Sequence, residues 1–257
     1  MRNRRQIILF TTGSQTDKLK RLELTFNLHL GLYAPVKIIH LGNVDNLSQS
    51  YHYAAKNIEN PEALLIFCHQ DAYPFLDNQG SEPPWKIPSW LRVAFDNPSS
   101  WIDAAEQLFT RTDTGLLGVA GARGLLSEIP WWQYPEVSGA VMHQSPSGEM
   151  RLNTYGRYGR TAVLDGLCLM VLRRTYDLLA NPAASLTGFH FYDIDLSLRA
   201  HLAGLKNWTV PLLLLHESPG ASSDDIAWNR DQQHFLESYK HLLPLHVPYE
   251  SLPESFW

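Results

Sequence analysis

Ala63-Leu64-Leu65-Ile66-Phe67-Cys68-His69-Gln70-Asp71-Ala72-Tyr73-Pro74 is the most informative segment of this chain. Six apolar residues run without interruption from Ala63 to Cys68, the pattern of a strand buried on both faces. The run ends abruptly in His69-Gln70-Asp71, and Pro74 stops any extension. In open α/β sheets the crevice beyond the carboxyl ends of such strands is where ligands bind. An imidazole and a carboxylate placed there are costly to bury unless each is paired or holds a ligand. His69 and Asp71 are two apart, so in extended backbone both side chains point the same way. A strand that merely reaches the surface also ends in polar residues. From this stretch alone, an ordinary loop entry and a site both stay open.

Toward the amino terminus, residues 6–12 read as a first strand closed by Gly13-Ser14. Residues 17–32 mix Leu19, Leu22, Leu24, Phe26, Leu28 and Leu30 with charges and predict a helix. Residues 36–41 form a second apolar run ending at Gly42-Asn43. Asn46 or Ser48 then caps a helix through about Asn57, with Tyr51, Ala54 and Ala55 on one face. Strand, helix, strand, helix, strand within about 70 residues is the pattern of a parallel, doubly wound sheet.

Toward the carboxyl terminus the pattern breaks. Residues 75–100 carry Pro83-Pro84, Pro88, Pro98, Trp85, Trp90 and Trp101 just beyond, among polar residues, which suits an ordered surface excursion. Residues 101–110 predict a helix, and 115–122 a glycine-spaced strand. That strand lacks Lys-Ser/Thr and does not make GxGxxG ahead of a helix, so its small residues are read as close packing. Residues 127–158 read as a long polar loop with adjacent Trp131 and Trp132, which either stack on a ring-shaped ligand or anchor the loop. Residues 161–173 form a strand pair interrupted by Asp165-Gly166, whose carboxylate needs a backbone turn or a ligand as partner. Asp193 falls at a helix start, where free amides favour a carboxylate, and that helix ends at Gly204. Residues 208–215 form a last strand ending in His216-Glu217-Ser218-Pro219-Gly220, and 225–243 a final helix.

At 257 residues the chain suits one good α/β core or two small domains. Apolar content of 44% and charged content of 18% fit a folded globular protein. A net charge of −5 provides no basic field for nucleic acid or an anionic membrane surface. Arg2-Asn3-Arg4-Arg5 is read as a solvated start. The two cysteines, Cys68 and Cys168, sit inside apolar runs and read as buried thiols of a reducing compartment. No stretch approaches the roughly 18 apolar residues that span a bilayer, and no signal-peptide core is present. A soluble cytoplasmic protein is expected.

His69/Asp71, Asp193/Asp195, His216 and Asp165 all fall at element ends. These types suit a divalent metal held by Asp71 and a histidine, with one carboxylate left over as a base. A histidine ligand favours Mn²⁺ over Mg²⁺. His29, His40 and His241 read as surface or satisfied core residues, and His190, between Phe189 and Phe191, as core.

With these residues in place, nearly the whole chain, about 6–245, resembles the GT-A type glycosyltransferases, in the broad family-2-like group of bacterial inverting enzymes. The likeness is strongest at Phe67-Cys68-His69-Gln70-Asp71 and at Phe191-Tyr192-Asp193-Ile194-Asp195-Leu196-Ser197-Leu198-Arg199. It implies a single α/β domain over 1–257, Rossmann-like, with a mainly parallel central sheet flanked by helices. A nucleotide-sugar half would cover about 1–122, an acceptor half about 123–245, and a tail 246–257. It further implies that Asp71 matches the last carboxylate of the DxD motif and holds the metal that bridges the donor diphosphate, with His69 standing where the first Asp would be. Asp193 matches the catalytic base, with Tyr192 in place of the preceding Glu. His216 resembles a second metal ligand, and Asp165-Gly166 the acceptor-side turn; Trp131 and Trp132 are the further acceptor candidates.

The expected activity is inverting transfer of a sugar from a nucleotide-diphosphate donor, a UDP-sugar first, to a glycan or other hydroxyl acceptor, with Mn²⁺ or Mg²⁺. A role in bacterial surface polysaccharide is part of the same expectation. Two other readings stay open. One is a non-catalytic sugar-nucleotide or glycan-binding member of the same fold, because His69 departs from the motif. The other is a metal-dependent hydrolase using His69, Asp71, His190 and His216, against which stands the lack of HExxH or a close histidine pair.

Overall fold

The first three strands behave as their apolar runs dictate. In the computed structural model, which describes residues 5–30, 33–75, 86–218 and 226–253, Ile7–Thr11 (β1) lies between Val36–His40 (β2) and Leu64–Cys68 (β3), parallel to both. Side chains of β1 and β3 alternate between two cores. Ile7, Leu9, Leu64, Ile66 and Cys68 face one, while Ile8, Phe10, Leu65 and Phe67 face the other. Thr16–Leu30 (α1) covers the first face with Leu22, Phe26 and Leu30, and Leu47–Lys56 (α2) the second with Leu47, Tyr51 and Ala55. Asn46 caps α2, its side chain accepting from the Gln49 amide at 3.0 Å. Each fully buried aliphatic side chain here contributes about 1.5–3 kcal/mol. Arg2, Asn3, Arg4, Leu32, Pro83, Pro84, Trp85, Pro219, Gly220 and Asp225 lie outside the described residues.

Four more strands complete the central sheet. They are Thr114–Gly118 (β5), Arg160–Thr161 (β10), Cys168–Leu172 (β12) and Lys206–Thr209 (β13), in the order β10-β13-β5-β12-β3-β1-β2. The sheet is mainly parallel but mixed: β12 runs against both β3 and β5, and β10 against β13. The reason is where the chain comes back. It returns through Leu167, whose carbonyl accepts from the His69 amide at 3.1 Å, so β12 starts beside the end of β3 and runs the other way. Cys168 therefore faces Cys68 directly, and both are buried free thiols.

A second sheet contains Ala72–Pro74 (β4), Ala120–Ala122 (β6), Val137–Gln144 (β8), Met150–Gly156 (β9), Val163–Leu164 (β11) and Leu214–His216 (β14). Its order is β11-β6-β8-β14-β4, with β9 on β8. The glycine-spaced strand expected over 115–122 is thus two strands, β5 in one sheet and β6 in the other, and β13 and β14 divide the expected 208–215 strand likewise. Pro211 has no N–H for a ladder, which ends β13's course. Gly118 and Gly121 are close-packing positions, against the Leu164 side chain and the Val163 carbonyl. The long polar loop expected over 127–158 contains the β8–β9 hairpin, turned at Gly148, whose φ of +85° suits glycine.

Gly124–Leu125 (β7) pairs with Leu245–His246 (β15). Arg92–Asp96 (α3), Ser100–Phe109 (α4), Arg173–Tyr176 (α5), Tyr192–Leu202 (α6) and Ile226–Tyr239 (α7) are the remaining α-helices of the described residues. Gly204, at φ +77°, follows the end of α6 as a left-handed terminator. His29 is satisfied in the core, accepting from the Trp101 indole at 2.6 Å. No helix of the described residues is long and apolar enough to cross a membrane.

Candidate active site

Where β3 ends, the alternation seen in the sequence separates three polar side chains. Gln70 turns toward the loop after β1, accepting from the Gln15 amide at 3.2 Å and filling the space beside Gly13. His69 and Asp71 turn the other way. Antiparallel pairing of β14 with β4 sets His216 opposite Ala72, which carries the His216 Nε2 to 3.5 Å from Asp71 Oδ1. One ligand atom each from His69, Asp71 and His216 lie within 4.8 Å of one another. Two imidazoles and one carboxylate make a donor set for a divalent first-row ion, and of the two ions expected they fit Mn²⁺ better than Mg²⁺. The other Asp71 oxygen receives the Lys18 ammonium at 3.2 Å. Burial alone would push the Asp71 carboxyl up, but His216, His69 and Lys18 outweigh it and hold it well below the usual carboxylate range. Burial and the neighbouring His216 lower His69, favouring the neutral imidazole that ligation requires.

The floor is made by two chain turns. Asp165 Oδ1 accepts from the Leu167 amide at 2.8 Å, so this carboxylate builds a backbone turn while also lining the cavity. Asp193, in the first turn of α6, accepts from the Gly166 amide at 2.9 Å and from the Ile194 amide at 2.9 Å. Burial first, and then the charge of Asp165, push the Asp193 carboxyl up to about 7 against those two amides. Tyr192 joins the two parts: its hydroxyl donates to the Gly166 carbonyl at 2.5 Å and lies 3.2 Å from His69 Nε2. With that hydroxyl proton committed, His69 Nε2 is the donor and Nδ1 is left as the ring's acceptor.

A cavity of about 300 Å³ opens between these groups. His69, Asp165, Gly166, Asp193 and His216 line it, with Trp131 and Trp132 on the far wall. Trp131 is buried and meets both Trp132 (ring centroids 5.8 Å) and Tyr155 (5.5 Å), so it anchors its segment while the pair faces the cavity. Asp71 stands beside the cavity, reached through His69 and His216.

His190 departs from the expectation of a core residue. It is half-buried on the cavity wall, and its amide donates to the buried Asp231 at 3.1 Å. Sequence reasoning passed over His143, Tyr155 and Trp228, which also line the cavity. The His143 ring is 5.4 Å from that of His216, and its Nδ1 donates to the Ser218 carbonyl at 3.1 Å. His143 follows the short apolar run 140–142, as His69 follows 63–68; nothing local in the sequence marks Trp228.

A family model described as "Glycosyltransferase like family" matches residues 96–239. The chain belongs to this glycosyltransferase-like family. The matched span holds Asp165, Asp193 and His216, while His69 and Asp71 precede it. No curated protein matches the sequence of this family member. Among solved structures it is similar to that of GalNAc-T7 with UDP, GalNAc and Mn²⁺, at a TM-score of 0.53 and 11% identity, covering 93% of this chain and 50% of that one. It is also similar to the catalytic domain of Drosophila β1,4-galactosyltransferase 7 with xylobiose, at a TM-score of 0.51 and 12% identity over 90% of this chain and 79% of that one. The glycosyltransferase-like protein thus spans half the length of the GalNAc-T7 chain. At these identities the likeness establishes the fold, which is the GT-A type.

Proposed function

We propose that this protein transfers a sugar from a nucleotide-diphosphate donor to an acceptor hydroxyl with inversion, Asp193 serving as the base. The observation that carries the reading is Asp193, a carboxylate brought up to about 7 in a cavity that His69 and His216 also line, with Asp71 beside it. A base works best when its pKa lies near the working pH. The two amides hold Asp193 in place for a proton from the acceptor hydroxyl. In one displacement the acceptor oxygen bonds the anomeric carbon. The bond from that carbon to the diphosphate oxygen breaks with its electron pair, and Asp193 keeps the proton. No second carboxylate is needed as a nucleophile, which is why inversion follows.

Residues His69, Asp71 and His216 would hold a divalent ion, whose chemistry when bound is to stabilise charge on the departing diphosphate. The apolar wall of Trp131, Trp132 and Trp228 offers ring faces to a sugar acceptor. A UDP-sugar donor and a glycan acceptor are supported by the fold's occurrence in structures holding UDP, GalNAc and Mn²⁺, or xylobiose.

The test is transfer from a panel of nucleotide sugars with Mn²⁺, comparing wild type with Asp193→Asn. Transfer is expected to fall by roughly 10²–10⁴ in the variant, with Mn²⁺ and UDP binding retained. An Asp193→Asn enzyme at the wild-type rate would overturn the assignment. Binding of donor without turnover by wild type would favour a non-catalytic member of the fold.

A further inference from the structure

We infer that Lys18, in the first turn of α1, is a contact for the donor's diphosphate and at the same time opposes binding of the bare metal ion. The inference rests on the metal and donor reading given above. The Lys18 Nζ lies 3.2 Å from Asp71 Oδ2 and 3.5 Å from the Glu217 carbonyl, and the side chain is 23% exposed. Asp71 is thereby divided, with Oδ1 toward His216 and Oδ2 toward Lys18.

The neighbouring cation has a different arrangement. Arg21, one helical turn on, pairs with the Glu217 carboxylate and lies over the Tyr73 ring at 4.6 Å, and the Tyr73 hydroxyl donates to Glu217 at 3.2 Å. That group is closed on itself. Among the described residues, Lys18 is the lysine or arginine paired with a carboxylate of the His69, Asp71 and His216 group.

A divalent cation held by that group takes up the charge of Asp71. The Lys18 ammonium then stands a carboxylate's width away with only a carbonyl to face. Two cations so placed repel each other. A ligand with several negative charges relieves both, and a diphosphate is long enough to touch two cationic centres at once. A monophosphate reaches one of them. Lys18 therefore selects for the diphosphate of the donor and makes the metal alone bind more weakly than its three ligands allow.

Calorimetry on Lys18→Met and Lys18→Arg tests this, with Mn²⁺ alone and then with UDP or UMP in saturating Mn²⁺. In Lys18→Met, Mn²⁺ alone is expected to bind about three- to tenfold more tightly, and UDP about tenfold more weakly, with a smaller effect on UMP. Lys18→Arg keeps the charge and is expected to restore UDP affinity. Unchanged UDP affinity in Lys18→Met would overturn the inference. So would weaker Mn²⁺ binding, the outcome if Lys18 only props Asp71 in place. A wild-type protein that binds no Mn²⁺ would instead remove the metal reading itself, and the role of Lys18 with it.

Discussion

At Asp193 the surroundings that fix the carboxylate also make its charge costly. Burial and the nearby Asp165 raise it to about 7, so transfer is expected to rise with pH through that value and then level off. Stability runs the opposite way. Between about pH 4 and 7 the folded protein holds a proton on Asp193 that the unfolded chain has released, so stability falls as pH rises through that window. Asp193→Asn removes the charge and keeps an oxygen for the Gly166 amide. At pH 8 the variant is therefore expected to be more stable than wild type, by on the order of 1–3 kcal/mol, with the gap closing toward pH 5. Denaturant unfolding at both pH values measures this, and a variant less stable than wild type at pH 8 would contradict the raised carboxyl.

Among the elements, the segment leading into α6 and the helix α7 show how the cavity wall is held. Phe191 has φ +64°, a strained value for an aromatic residue, and it is kept there by ring contacts to Trp228 at 5.1 Å and Phe235 at 5.2 Å on α7. Asp231 of α7 accepts from the His190 amide, and a Cβ on Gly188 would run into that carboxylate. Gly188→Ala is expected to cost about 1–3 kcal/mol and to raise the acceptor KM more than it lowers kcat, read from thermal unfolding and acceptor titration. An unchanged KM would show that the wall does not bind the acceptor. A second tie is Asp195, fully buried, which accepts from Ser48 of α2 (3.2 Å), Arg199 (2.8 Å), the Ala183 amide (3.1 Å) and Tyr239 of α7 (2.6 Å). Arg199 lies one turn along the same helix, but the other partners were not legible in the sequence, because each depends on how separate segments pack. What was legible is local. The run 63–68 declared a strand buried on both faces, Asn46 or Ser48 a helix cap, and Asp193 its place at a helix start. The direction of β12 was not, since burial on two faces says nothing of which way a partner runs. The β8–β9 hairpin was hidden because Gly, Pro and Ser in its turn outweighed the short apolar run 140–142.

For the molecule as a whole, the site lies where two sheets part. The group His69, Asp71 and His216 spans the end of β3 in the central sheet and the β4–β14 pair in the second, while Asp193 rides on α6. A ligand seated there touches both sheets and binds only the folded chain, so it raises stability by mass action. Mn²⁺ with UDP at about 100 times its Kd adds about 2.7 kcal/mol. For a chain of this size that corresponds to roughly 5–10 °C in Tm. Thermal unfolding with UDP and Mn²⁺, with UDP and EDTA, and with Asp71→Asn in place of wild type separates the contributions. The full shift is expected only for wild type with both ligands. EDTA and Asp71→Asn should each remove most of it, because the diphosphate then meets Lys18 without a divalent partner. A shift of the same size in EDTA would mean that UDP is held without the metal, and that the three side chains at the sheet junction serve the fold instead.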